Sequence, residues 1–191
     1  MSSFPPSPRR RLKGIVQDRY GSADGLELRD IDAPVVGEKD VLFRVHAAGC
    51  GPDVWHTMSG QPYLARLMLG FRRPKVAVRG RDVAGTVEAV GDAVIDFHPG
   101  DEVMGLAEGS FAELALGPAD KLVSKPARLS FEEAAAVPVS RLTALQAVRD
   151  EGTVQTGDRV LIVGAAGESE HLPCRSPQRV DAARGHQALI M

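Results

Sequence analysis

Val41-Leu42-Phe43-Arg44-Val45-His46-Ala47 sets the reading of the rest of the chain. Val41, Phe43, Val45 and Ala47 alternate with Leu42, Arg44 and His46, the period of two that buries one face of a sheet. Outward from this strand the same grammar recurs. From Lys13 to about Lys125, short apolar runs are separated by Gly, Pro and Asp at close intervals, the punctuation of a small β-rich domain. Val83 to Val90 predicts a second strand, in which Gly85 marks a bulge or a close backbone approach, and Gly91-Asp92 ends it. Pro99-Gly100-Asp101 turns the chain into Glu102-Val103-Met104-Gly105, and Phe111 to Leu116 and Leu122-Val123 predict further strands. Short strands in this number close into a barrel or sandwich.

The pattern changes at Ser130. Ser130-Phe131-Glu132-Glu133 is a capping box, in which the serine hydroxyl and the glutamate three residues on satisfy N–H groups that a helix start leaves without partners. The helix it opens should stop before Pro138. Leu142, Leu145 and Val148, with Ala144 beside them, then recur at helical spacing until Gly152, predicting a second helix that packs on the core. Thr156-Gly157-Asp158 reads as a turn. Val160-Leu161-Ile162-Val163 is a continuous apolar run, as expected of a strand buried on both faces of a parallel sheet, and it leads directly into Gly164-Ala165-Ala166-Gly167.

Composition narrows the class. Of 191 residues 43% are hydrophobic and the formal charge is −2, which suits a globular chain with one sizeable core and implies no partner through net charge. No apolar run approaches the roughly 18 residues of a spanning helix, and the first residues lack the apolar centre of a secretory signal. The expectation is a cytoplasmic protein with no membrane partner. Cys50 and Cys174 are too far apart to form a disulfide framework and neither belongs to a metal-ligand pair, so both read as free thiols. Ser2-Ser3-Phe4-Pro5-Pro6-Ser7-Pro8, followed by Arg9, Arg10 and Arg11, reads as a disordered tail. Its arginines are taken as a solvated extension rather than a nucleic-acid contact.

A glycine-rich turn directly after a buried strand is the entry to a dinucleotide site, because small residues let the backbone approach a pyrophosphate and the next helix offers its N-terminal N–H groups. Here the motif is half present. After Gly167 come Glu168, Ser169, Glu170, His171, Leu172 and Pro173, which put carboxylates where a phosphate should lie and a proline where a helix should run.

Read in order, several stretches make a specific set. Lys13-Gly14-Ile15-Val16-Gln17, the strand end His46-Ala47-Ala48-Gly49, and Gly80-Arg81-Asp82-Val83-Ala84-Gly85-Thr86-Val87-Glu88-Ala89-Val90-Gly91 come first. Pro99-Gly100-Asp101-Glu102-Val103 and Ala134-Ala135-Ala136-Val137-Pro138 to Leu142-Thr143-Ala144 follow. Together they resemble the catalytic domain of quinone-oxidoreductase-like enzymes, zinc-independent members of the medium-chain dehydrogenase/reductase family, over roughly residues 13 to 167. The resemblance implies a mainly β fold with α elements: a chaperonin-10-like (GroES-like) β-barrel followed by the first strand of a truncated Rossmann fold. It also implies NADPH as cofactor and a small-molecule quinone or enone as substrate.

The same resemblance places candidate site residues. The loop Gly51 to Tyr63 would border the substrate, where Trp55 and Tyr63 either stack on a flat ring or pack the loop onto the barrel. Thr143 matches a threonine near the cofactor in relatives, although a mid-helix threonine also bonds its own backbone. Gly164, Ala165, Ala166 and Gly167 would face the pyrophosphate. Gly51 stands where many relatives carry asparagine, so any amide contact from that position is lost. Cys50-Gly51-Pro52-Asp53 has the spacing with which zinc alcohol dehydrogenases begin their catalytic site, but Arg81 occupies the position of their histidine and a cation cannot ligate zinc. No cysteine near Val139 completes a site, so no metal is expected. His46 and His56 read as a strand and a loop residue. The implied mechanism is hydride delivery to an electron-poor carbon, with the protein orienting the reactants and offering a donor to the developing enolate.

Beyond Gly167 the resemblance stops within one residue. Re-reading each codon from there one base earlier, with permitted synonymous choices, lets Glu168 to Pro177 encode GVGTFAVQIA, a completed glycine motif followed by an apolar helix. The expected organisation is a disordered tail over residues 1–11, a GroES-like domain over 12–126, linking helices and the start of the dinucleotide fold over 127–167, and an aberrant, frameshifted tail over 168–191. On this reading the chain is an oxidoreductase inactive in its present form, with an apolar strand at Val160–Val163 that invites aggregation. The competing readings are a free-standing barrel with a binding or structural role, and an unrelated module beginning at Gly164.

Overall fold

The computed structural model, which describes residues 10–155, 158, 160–162 and 188–189, divides into a unit ending at Pro138 and a unit starting at Val139. In the first unit, β1 (Arg11–Val16) and β2 (Glu27–Asp32) form an antiparallel ribbon. β3 (Asp40–Ala48), β4 (Asp82–Val90), β5 (Glu102–Leu106), β6 (Leu114–Pro118) and β7 (Leu122–Ser124) form a five-stranded antiparallel sheet in the order β6-β3-β4-β5-β7. The sheet curls into a half-barrel, so the molecule is mainly β with few helices. β1 begins at Arg11, and the Arg10 guanidinium donates to Glu88 at 2.9 Å. The remainder of the expected N-terminal tail lies outside the described residues.

The sheet has two apolar faces because neighbouring residues along a strand point to opposite sides. Val41, Phe43, Val83, Val87, Phe97, Val103, Ala107, Ala115 and Leu122 form the interior cluster. Ala84 and Met104 project from the other face and pack against Ala134 and Ala135 of α3 (Phe131–Ala135). The alternation expected in β3 holds at Val41, Phe43 and Val45, but Ala47 packs on the second cluster. The cause is a slip in register: Val45 pairs with Gly85 and Ala47 with Ala84, leaving His46 as the extra residue of a bulge. The close approach expected at Gly85 is present, since a Cβ there would lie 2.1 Å from the carbonyl oxygen of Arg44.

The strand expected over Phe111 to Leu116 starts later, at Leu114. Ala112 bridges Gly14 of β1 while Leu114 pairs with Arg44 of β3, so this stretch passes from the ribbon to the large sheet and cannot stay in one ladder. The capping box forms as expected: the Glu133 N–H donates to Ser130 Oγ at 3.2 Å, and the Ser130 N–H donates to Glu133 Oε2 at 2.9 Å.

In the second unit, α4 (Pro138–Leu145) runs into a π-helical turn over Gln146–Glu151. Its expected apolar stripe is largely exposed, at 50% for Leu142, 47% for Leu145 and 37% for Val148. β8 (Leu161–Ile162) falls within the predicted apolar strand, but its described partner is β9 (Ala188–Leu189), which runs antiparallel. A strand with an open row of N–H and C=O groups pairs with whatever edge is at hand. The parallel sheet expected here is therefore not found among the described residues, and Ala188–Leu189 is a strand within the stretch expected to lack regular structure. No helix among the described residues is long and apolar enough to cross a membrane.

Candidate functional site

The loop leaving β3 builds the site. The Gly49 N–H donates to the Asp82 carbonyl at 3.0 Å, and a Cβ at Gly49 would lie 2.7 Å from the Ala135 carbonyl oxygen, so only glycine fits between β4 and α3. Gly51 then caps α1 (Pro52–Ser59) with no side-chain hydrogen bond, and Pro52 starts it in a position where its missing N–H costs nothing. Asp53 lies in the first turn, where a carboxylate complements the helix dipole, and its Oδ2 is buried with no hydrogen-bond partner. The helix ends at Gly60, whose φ of 65° is the left-handed cap that glycine adopts without a Cβ penalty.

The last carbonyls of α1 are each met by a side chain. Thr57 O accepts from Arg79 Nη1 at 3.3 Å, and Met58 O from Gln17 Nε2 at 3.1 Å. Ser59 O accepts from Arg66 Nη2 at 3.3 Å, and Gly60 O from Arg66 Nε at 3.0 Å. Two guanidinium groups at a helix C-terminus suit the negative end of its dipole. Arg79 is 6% exposed and also donates to the Val76 carbonyl, and burial pushes its pKa down. Arg66, from α2 (Arg66–Leu69), lies over Tyr20 at 4.6 Å and over Tyr63 at 4.7 Å. α1 is thereby fixed to the start of the chain, to the segment before β4 and to α2.

Beside this anchored helix lies a cleft of about 880 Å³, whose wall includes Tyr20, Thr57, Leu69, Arg79, Arg81 and Leu106. Its size suits a small organic molecule. Neither Trp55 nor Tyr63 belongs to the wall. Trp55 is 50% exposed and meets the edge of His56 at 5.0 Å, while Tyr63 is 68% exposed and stacks on Arg66. Thr143 donates its hydroxyl to the Val139 carbonyl at 2.8 Å. Gly164, Ala165, Ala166 and Gly167 lie outside the described residues.

At the Cys50-x-x-Asp53 spacing, Cys50 is exposed as a free thiol and Arg81 is exposed. Among the described residues no three His, Cys, Asp or Glu side chains gather where a metal ion would sit. His46, lifted by the bulge, stacks on Phe131 at 4.3 Å and 19° and shares a hydrogen bond with Thr86 Oγ1 at 3.1 Å. His56 Nδ1 is 3.0 Å from the Gln61 carbonyl. Sequence reasoning assigned no role to Gln17, Arg66 or Arg79, which together hold the loop through main-chain carbonyls.

Comparison with known proteins places these features in a family. Residues 37–127 match the alcohol dehydrogenase GroES-like domain. The chain is 34% identical over 159 residues to the quinone oxidoreductase of Homo sapiens, a match covering 82% of this chain and 46% of that protein. The quinone oxidoreductase structure from Coxiella burnetii superposes with a TM-score of 0.77 at 32% identity, covering 85% of this chain and 52% of the other. A mycobacterial protein solved as a complex with NADPH superposes with a TM-score of 0.70 at 27% identity, covering 81% of this chain and 46% of the other. The chain thus spans about half the length of the curated relatives it matches.

Proposed function

We infer that this chain, which belongs to the quinone oxidoreductase-like branch of the medium-chain dehydrogenase/reductase family, forms the substrate-side half of a zinc-independent reductase that delivers hydride from NADPH to a quinone or enone. The observation that carries this reading is the GroES-like domain, whose relatives include quinone oxidoreductases, with an open cleft that reaches from Thr57 and Arg81 to Leu116. Quinones and enones share an electron-poor carbon conjugated to a carbonyl, so reduction places negative charge on that oxygen. NADPH supplies the hydride when bound. The chain's own part is to hold the acceptor and to offer donors to the developing enolate. Arg81 in the wall carries such donors, whereas the Tyr20 and Thr57 hydroxyls already donate to the Gly70 and Val54 carbonyls, and Trp55 presents a half-exposed ring at the loop, outside the cleft wall.

On the cofactor side, Thr143 and Gly164-Ala165-Ala166-Gly167 would approach NADPH, the small residues leaving room for its pyrophosphate. Glu168 and Glu170 oppose the same phosphates and Pro173 opposes the helix that should follow. We therefore assign the 191-residue chain no useful NADPH turnover. The competing role, a free-standing binding barrel, is favoured by one observation: the interior cluster is assembled entirely from residues between Val41 and Leu122.

The test reads quinone binding directly. Trp55 is the only tryptophan in the chain, so its fluorescence reports on the loop. A tetrasubstituted quinone, to which the exposed Cys50 thiol cannot add, should quench it saturably, and Arg81→Ala should weaken that quenching. Strictly linear collisional quenching, unchanged in Arg81→Ala, would contradict the assignment.

A further inference from the structure

From Val54 to Arg81 the sequence contains no aspartate or glutamate, yet it carries Arg66, Arg72, Arg73, Lys75, Arg79 and Arg81, in a chain whose formal charge is −2. The structure puts Arg72, Arg73, Lys75 and Arg81 in solvent. The nearby carboxylate that feels Arg73, Asp18, is held by Arg29 at 2.8 Å. The same stretch exposes large apolar side chains: Leu64 at 77%, Phe71 at 72% and Leu67 at 67%, with Tyr63 and Trp55 beside them. Apolar groups of this size left in water beside arginines mark an interaction surface rather than a solvated face.

We propose that Tyr63–Lys75 is a peripheral docking surface for membranes containing anionic lipid. Leu64, Leu67 and Phe71 would enter the boundary between headgroups and acyl chains, while Arg72, Arg73 and Lys75 meet the lipid phosphates. Two observations favour a bilayer over an acidic protein. None of the exposed side chains of Tyr63, Leu64, Leu67 and Phe71 lines the cleft, and a fluid surface needs no complementary groove. Arginines directly follow Phe71 in sequence, the order in which a shallowly inserted side chain is flanked by cations at headgroup depth. The segment is also firmly mounted: Arg66 ties it to α1, and Tyr20 Oη donates to the Gly70 carbonyl at 2.8 Å. A surface contact of this kind involves no spanning segment, and it stands independently of the proposed reduction.

The full chain would be sedimented with vesicles of phosphatidylcholine, with and without phosphatidylserine, at low and high salt. Binding is expected only with phosphatidylserine and should weaken with salt. Arg72→Glu/Arg73→Glu should lower it by at least tenfold, given about one tenfold step per two removed cations or fewer. Leu67→Ser/Phe71→Ser, two exposed changes that leave the core intact, should lower it comparably. Equal binding to both vesicle types, or to wild type and both variants, would overturn the proposal. So would capture by polyglutamate without vesicle binding, or self-association through this segment that Leu67→Ser/Phe71→Ser abolishes.

Discussion

Arg79 does at the scale of one residue what no local pattern announces. It is buried, it is a cation, and its partners are the carbonyls of Thr57 and Val76 rather than a carboxylate. Arg79→Met keeps much of the volume and removes every side-chain donor, leaving the Thr57 and Val76 carbonyls without the guanidinium. The expected cost is about 2 kcal/mol, in line with hydrogen bonds to charged groups, read as a lower urea midpoint at unchanged slope. Arg81, two residues on, points the other way: it is exposed and occupies the position at which a zinc site would need a neutral ligand. Protein prepared in zinc-replete medium should contain far less than one equivalent by elemental analysis, and stoichiometric zinc would refute the metal-free mechanism. The family resemblance singled out Arg81, because it stands where the strand-entry motif of zinc alcohol dehydrogenases has a histidine. It left Gln17, Arg66 and Arg79 unread because their partners are main-chain oxygens, which carry no residue identity and so leave no trace in a pattern of side chains.

At the scale of elements, legibility followed the range of the interactions involved. The capping box at Ser130–Glu133 is complete within four residues, so the sequence alone located the start of α3. Ser130→Ala should cost about 1 kcal/mol, and an unchanged thermal midpoint would show that Phe131 and Ala135 are held by packing on β4 without help from the cap. The bulge at His46 was not legible, because it depends on how β3 aligns with β4, and one extra residue sends Ala47 to the other face. The late start of β6 at Leu114 has the same origin, a switch of partners from Gly14 to Arg44. The helical stripe of Leu142, Leu145 and Val148 predicted the helix correctly but not its cover, since periodicity states which side is apolar and not what lies against it.

At the scale of the whole molecule, net charge proved a poor guide to surface chemistry. A total of −2 conceals an acid-free stretch with six cations, and the absence of a long apolar run speaks only of spanning helices, not of contacts made at a surface. The fold itself was legible because its motifs fall in order along the chain, from Lys13-Gly14-Ile15-Val16-Gln17 to the GroES-like match over residues 37–127. The cofactor side, Gly164–Gly167 with Glu168, Glu170 and Pro173 after it, lies outside the described residues, so its reading rests on the sequence alone. The measurement that bears most directly on the account is a paired NADPH titration and quinone-reduction assay, performed on the 191-residue chain and on the protein read in the restored frame beyond Gly167. The account predicts saturable NADPH binding and zinc-free turnover by the restored protein, and neither by the chain as it stands. Turnover by the unrestored chain, or none by the restored one, would contradict it.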